Sequence, residues 1–130
     1  MIHWLEYVKV CYDLVLASEQ DTQVILPHNT EAYVVHMMAR NFERTDIGEQ
    51  AIAIQMLENF HRRNREDYGR IGDECLLIQS FPMRRQRWPS EKYYIDMGQM
   101  AYYMADNESM KKNFVNASRV LSGVFKQLNT

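Results

Sequence analysis

The stretch Pro89-Ser90-Glu91-Lys92-Tyr93-Tyr94-Ile95-Asp96-Met97-Gly98-Gln99-Met100-Ala101-Tyr102-Tyr103-Met104-Ala105 decides how this chain is read. Proline is tolerated in a helix only at its first turn, so Pro89-Ser90 reads as a helix start, and the helix runs to about Ala105. Around its axis Tyr93, Tyr94, Ile95, Met97, Met100, Ala101, Tyr102, Tyr103 and Met104 point in nearly every direction. A helix apolar all round has to be covered all round. Two compatible arrangements satisfy that demand: the helix lies at the centre of a bundle, or a second copy of the chain covers one of its faces.

The segments on either side are helical as well. Glu108 to Gln127, with Asn107 as its cap, has the cleanest pattern: Phe114, Ala117, Leu121, Val124 and Leu128 alternate spacings of three and four, as in a helix laid along a bundle. Arg65 to Ser80 places Tyr68, Ile71, Cys75 and Ile78 on one side, is weakened by Gly69 and Gly72, and stops at Pro82. Met83–Trp88 is then a basic connector. Ile2 to Ala17 aligns Trp4, Val8, Cys11 and Val15, and Ser18–His28 is a polar connection whose residues 23–26 could be a short extended piece. A helix beginning near Asn29 buries Ala32, Val35, Ala39 and Phe42 with Met38 beside them. Another, Ile47 to about Arg62, turns Ala53, Met56, Leu57 and Phe60 inward. The expected fold is all-α: an irregular five- or six-helix bundle in a single helical domain, residues 1–130, with the Ser90–Ala105 helix near its centre.

Composition agrees. The 130 residues are 46% hydrophobic and 25% charged, which suits a folded domain and is too apolar for disorder. Five glycines and three prolines are too few for the many turns of an all-β sandwich. The N-terminal apolar run is broken by Glu6, Lys9 and Asp13 and lacks a positive leader, so no signal peptide is read there. No run of 18 apolar residues occurs, so no membrane span is expected and the cytoplasm is the default address. Cys11 and Cys75 stand apart among apolar neighbours and read as two buried reduced thiols.

Fifteen basic and seventeen acidic residues give a net charge of −2, which disfavours nucleic acid as a partner. The distribution is uneven. Residues 61–88 hold seven arginines against four acids, while residues 1–60 hold three basic and nine acidic groups. Within the basic stretch Arg84, Arg85 and Arg87, with Trp88 and Tyr93 beside them, are the candidate site for an anion or an acidic protein partner, since guanidinium forks bind carboxylate and phosphate and the rings can stack. The plain alternative is a solvated surface, its arginines paired with Glu66, Asp67, Asp73 and Glu74 or with the acidic N-terminal half.

Other chemistry is thin. Glu58-x-x-His61 has the spacing of a ferritin-like di-iron ligand pair, but such a site needs a second motif and two further glutamates. No metal site is read here. His36 has no second histidine a turn away for zinc, and no serine or cysteine is set beside a base, so no catalytic residue and no cofactor are assigned.

Leu76-Leu77-Ile78-Gln79-Ser80-Phe81-Pro82, then Tyr93-Tyr94-Ile95-Asp96-Met97-Gly98 and Ala101-Tyr102, resembles a pattern in uncharacterised bacterial helical proteins. There a Phe-Pro step closes one helix and a Tyr-rich helix with a Met-Gly step follows a basic connector. The resemblance covers about a quarter of the chain; it implies a bacterial origin and a compact helical fold and transfers no activity. The functional expectation is a non-enzymatic helical interaction module that self-associates, with Tyr94, Met97 and Tyr102 at the interface. The runner-up is a binder or enzyme for an anionic small molecule that uses the arginine-rich connector.

Overall fold

The computed structural model describes residues 3–81 and 89–128, and among these residues there are seven helices and no strand. In chain order they are α1 (Trp4–Thr22), α2 (His28–Arg40), α3 (Ile52–Arg62), α4 (Arg65–Ser80), α5 (Glu91–Met104), α6 (Glu108–Lys112) and α7 (Phe114–Leu128). The expected helical bundle is present, with one helix more than the sequence suggested. The extra helix comes from a break at Asn113. Its side-chain amide donates to the Ser109 carbonyl at 2.9 Å and to the Thr30 hydroxyl at 3.3 Å, which parts α6 from α7 and ties the joint to α2.

The helix at the centre is α4, not α5. Residues 71–77 of α4 are buried without interruption, and its neighbours include α3, α5 and α7. The helix α5 buries Tyr94, Gly98, Ala101 and Tyr102 against it, while Met100 and Tyr103 remain 53% and 61% exposed. With Lys92 and Asp96 also exposed, α5 keeps a wet flank, so the greasiness of its sequence does not amount to cover on every side. Tyrosine and methionine tolerate this, because a phenol keeps its tip in water and a thioether is only mildly apolar.

The seam between α4 and α5 is close because two glycines permit it. A Cβ at Gly72 would lie 2.8 Å from the Tyr102 ring; one at Gly98 would lie 2.4 Å from the Phe114 ring and 3.1 Å from the Cys75 Cβ. Gly72 faces Tyr102 and Cys75 faces Gly98, so the two helices run antiparallel. At the end of α4 the Ser122 hydroxyl donates to the Ser80 carbonyl at 2.7 Å, supplying a partner that the helix itself cannot.

Elsewhere the sequence pattern needed correction at the ends. The helix α1 continues through Thr22 because its polar residues have inward partners: the Ser18 hydroxyl donates to the Val120 carbonyl at 2.5 Å, and the Glu19 carboxylate accepts the Leu26 amide at 2.8 Å. Residues 24–27 take no regular structure. In α2 the buried face is Thr30, Glu31, Val34, Val35, Met37, Met38 and Ala39; Ala32 and Phe42 point outward. Cys11 and Cys75 are free and buried, and burial pushes both thiols up. No helix among the described residues is long and apolar enough to cross a membrane.

Two outcomes are expected from this packing. Gly98→Ala forces the Phe114 ring aside in a filled core and should cost about 1–3 kcal/mol, read as a lower urea midpoint. The second concerns Glu19, whose carboxyl is pushed up to about 7 from an ordinary 4.5, first by burial and then by a hydrogen bond with Glu31. The folded state thus holds this proton more tightly than the unfolded chain. Its contribution is most favourable below the ordinary value and is lost as pH rises through about 7. Glu19→Gln keeps the acceptor for Leu26, so it should reduce the fall in Tm between about pH 5 and 8.

Candidate functional site

The site is built on two neighbouring acids of α4. Asp73 and Glu74 are both buried, and a buried carboxylate persists only where donors converge on it. Asp73 collects its donors from α2 and α5: the Tyr33 and Tyr102 hydroxyls each donate to Oδ1 at 2.7 Å, and Arg40 Nη2 lies 3.4 Å from Oδ2. The Tyr33 and Tyr102 rings meet edge to face at 5.9 Å, and the Arg40 guanidinium stands 5.6 Å from the centre of the Tyr33 ring. Burial holds the Asp73 carboxyl above the usual carboxylate range; the two hydroxyls and Arg40 pull it back without cancelling the shift. Both phenols are in turn pushed up, chiefly by burial and next by the charge of Asp73.

Glu74 holds the other side. Its Oε1 accepts the Gly48 amide at 3.0 Å and the Gln55 side-chain amide at 3.2 Å, and Arg44 Nη2 lies 3.6 Å from Oε2. Gly48 has φ +87°, a left-handed conformation that residues with a side chain rarely adopt. That turn is why the helix expected from Ile47 begins only at Ile52. Asp73 and Glu74 therefore pair with Arg40 and Arg44, while Arg70 pairs with Asp67 on the surface.

The helix α3 meets the domain through a mixed polar and apolar face. Its polar residues Gln55, Glu58, Asn59 and Arg62, at spacings of three, one and three, line a cleft of about 520 Å³ shared with Arg40, Arg44, Asp73 and Glu74. On the inner side only Ile52 and Asn59 are buried, with Gln55 and Met56 half-buried. Asn59 is tied by its Nδ2 to the Asn64 carbonyl at 2.9 Å. The apolar residues face away: Ile54, Leu57 and Phe60 are 50%, 66% and 55% exposed, and Ala53 lies open beside them. Ala53, Leu57 and Phe60, which the periodicity turned inward, thus form the outer face. Only Met56 of that set is partly covered. The apolar stripe was only partly placed: Ile52 and Met56 pack on the core beside Gln55 and Asn59, and Ala53, Ile54, Leu57 and Phe60 are left outward.

The residues singled out from the sequence are dispersed. Arg84, Arg85, Arg87 and Trp88, and the stop expected at Pro82, fall outside the described residues. Tyr93 is half-buried with its ring 5.3 Å from that of Tyr94. Tyr94 and Tyr102 are buried within one chain and offer nothing to a partner; Met97 is half-buried. The exposed residues of α5 are instead Met100, Tyr103 and Met104, with the Lys111 ammonium 5.0 Å from the centre of the Tyr103 ring. Glu58 and His61 are exposed, and among the described residues no group of three histidine, cysteine or acidic side chains is placed to hold a metal ion.

A second cleft, about 690 Å³ and more apolar, is walled by Met38, Phe42, Leu77, Ile78 and Phe125. Phe81 and Pro89, the residues on either side of 82–88, also line it. Compared with protein-family models, curated proteins and solved structures, the chain matches none of them.

Removing one donor from a buried carboxylate is costly. Tyr102→Phe keeps the ring that fills the α4–α5 seam and deletes only the bond to Asp73, so it should lower stability by about 1.5–3 kcal/mol in chemical denaturation.

Proposed function

We propose that the chain is a small helical interaction module that self-associates, and that the outward face of α3 is its docking element. The observation that carries this reading is the placement of α3: Ile52, Gln55, Met56 and Asn59 face the domain, while Ile54, Leu57 and Phe60 are half or more exposed. An amphipathic helix ordinarily buries its apolar stripe on its own domain. Here Ile54, Leu57 and Phe60 stay half or more exposed and leave roughly 300 Å² of apolar surface, the scale of the largest patch on a typical monomer, which is often functional.

The helix α5 supports this reading less than its sequence suggests. Its tyrosines are largely spent inside the bundle, where Tyr102 serves Asp73 and Tyr94 packs against α4 and Tyr93. The helix α3 also suits a docking role because it is held at its edges by polar contacts through Glu74 and Asn64, so its outer face is free of core-packing duties.

Leu57→Glu places a charge at the middle of the outer face without touching the core. Expected in light scattering over a range of concentrations is reversible association of the native chain and a monomer for the variant, with unchanged helicity by circular dichroism. A native chain that stays monomeric at every concentration, or a variant that associates as the native chain does, would remove the proposal.

A further inference from the structure

We infer that α3 pairs antiparallel with α3 of a second copy of the chain, across a two-fold axis that passes close to Leu57. This rests on the docking role given to α3 above and adds the geometry of the pair. The added observation is the lengthwise charge on either side of the apolar face. The approach to α3 carries Asp46 and Glu49, and its far end carries His61, Arg62, Arg63 and Arg65; all six are exposed. Asp46 is engaged by Arg44, and Arg65 lies 3.7 Å from Asp106. Glu49, Arg62 and Arg63 form no ion pair among the described residues.

A parallel pair would set acid against acid at one end and arginine against arginine at the other. An antiparallel pair sets the Glu49 end of each copy against the Arg63 end of its mate, and the two-fold axis repeats that match. Opposed helix dipoles act in the same direction. Centring on Leu57 also completes the apolar contact, since Ile54 then meets Phe60 of the second copy and Ala53 meets His61.

A lipid surface fits this face less well. Three large apolar residues are few for membrane anchoring, and Glu49 and Glu58 beside them repel anionic headgroups. A different protein would have to carry the same charge gradient in reverse, which a second copy supplies by symmetry. The face is also small. Roughly 300 Å² per chain is well below the ~800 Å² per partner of a standard stable complex, so the pair is weak and concentration-dependent.

The test uses the full chain with single cysteines introduced on the exposed face; Cys11 and Cys75 are buried and serve as the native background. A disulfide needs Cα atoms within about 7 Å, and residue 53 stands about 6 Å along the helix from residue 57. In an antiparallel pair two copies of residue 53 are therefore about 12 Å apart along the axis. Under mild oxidation Leu57→Cys should link to itself. Ala53→Cys and His61→Cys should each stay unlinked alone and link to one another when mixed. Glu49→Lys should weaken association about 3- to 10-fold in sedimentation, and adding Arg63→Glu to it should restore most of that loss.

Self-linking of Ala53→Cys as readily as Leu57→Cys overturns the antiparallel arrangement, as does a Glu49→Lys effect that Arg63→Glu leaves unrepaired. If Leu57→Glu still abolishes association in either case, the docking role of α3 survives and only its orientation fails. Association that Leu57→Glu leaves intact removes both.

Discussion

Two adjacent acids at the centre of the bundle organise everything around them. Asp73 and Glu74 sit in a run of α4 that is buried from residue 71 to residue 77, and a charge in that position must be met by donors. Successive residues on a helix point about 100° apart, so the two carboxylates recruit from different directions. Asp73 draws Tyr33 and Arg40 from α2 and Tyr102 from α5. Glu74 draws Arg44, the Gly48 amide and Gln55 of α3. Contacts 19 to 40 residues apart in the chain are thereby fixed in register, with a specificity that apolar packing alone does not supply.

The same arrangement explains why one side of the bundle is built differently from the other. On the α5 side, α4 offers Gly72 and Cys75, with Gly98 of α5 set against Cys75, and the contact is close. On the α3 side it offers a carboxylate. What settles there is a mixed face, with Gln55 reaching Glu74 beside Ile52 and Met56, and Ile54, Leu57 and Phe60 are left outward. The outward apolar face of α3 thus lies on the side where α4 places its charge.

Much of the fold was legible in the chain. The 3.6-residue period located the helices, Asn107 was readable as a cap and does accept the Met110 amide, and the start read at Pro89-Ser90 is where α5 begins, with Ser90 accepting the Tyr93 amide. The direction of α3 was not legible. Periodicity finds an apolar stripe and assigns it to the core by default, because the default minimises exposed apolar area. Only the knowledge that Glu74 lies beneath α3 reverses the assignment, and that requires a contact across 19 residues. The acids themselves were misplaced for a related reason: Asp73 and Glu74 follow an arginine-rich stretch and look like its solvated partners, whereas Arg40 at the end of α2 and Arg44 just after it claim them. Likewise α5, apolar in letters on nearly every side, kept a wet flank because its tyrosines and methionines are amphipathic and need less cover than leucines would.

The buried thiol of Cys75 has a use that its inertness creates. It lies in the α4–α5 seam against Gly98, held in its protonated form by burial and out of reach of solvent. A thiol-labelling reagent can modify it only in the moments when that seam parts, and Cys11 reports in the same way on the packing of α1. The chain therefore carries two internal stopwatches, one per layer, and the ratio of their labelling rates measures whether the bundle loosens as a unit or sheds α1 first.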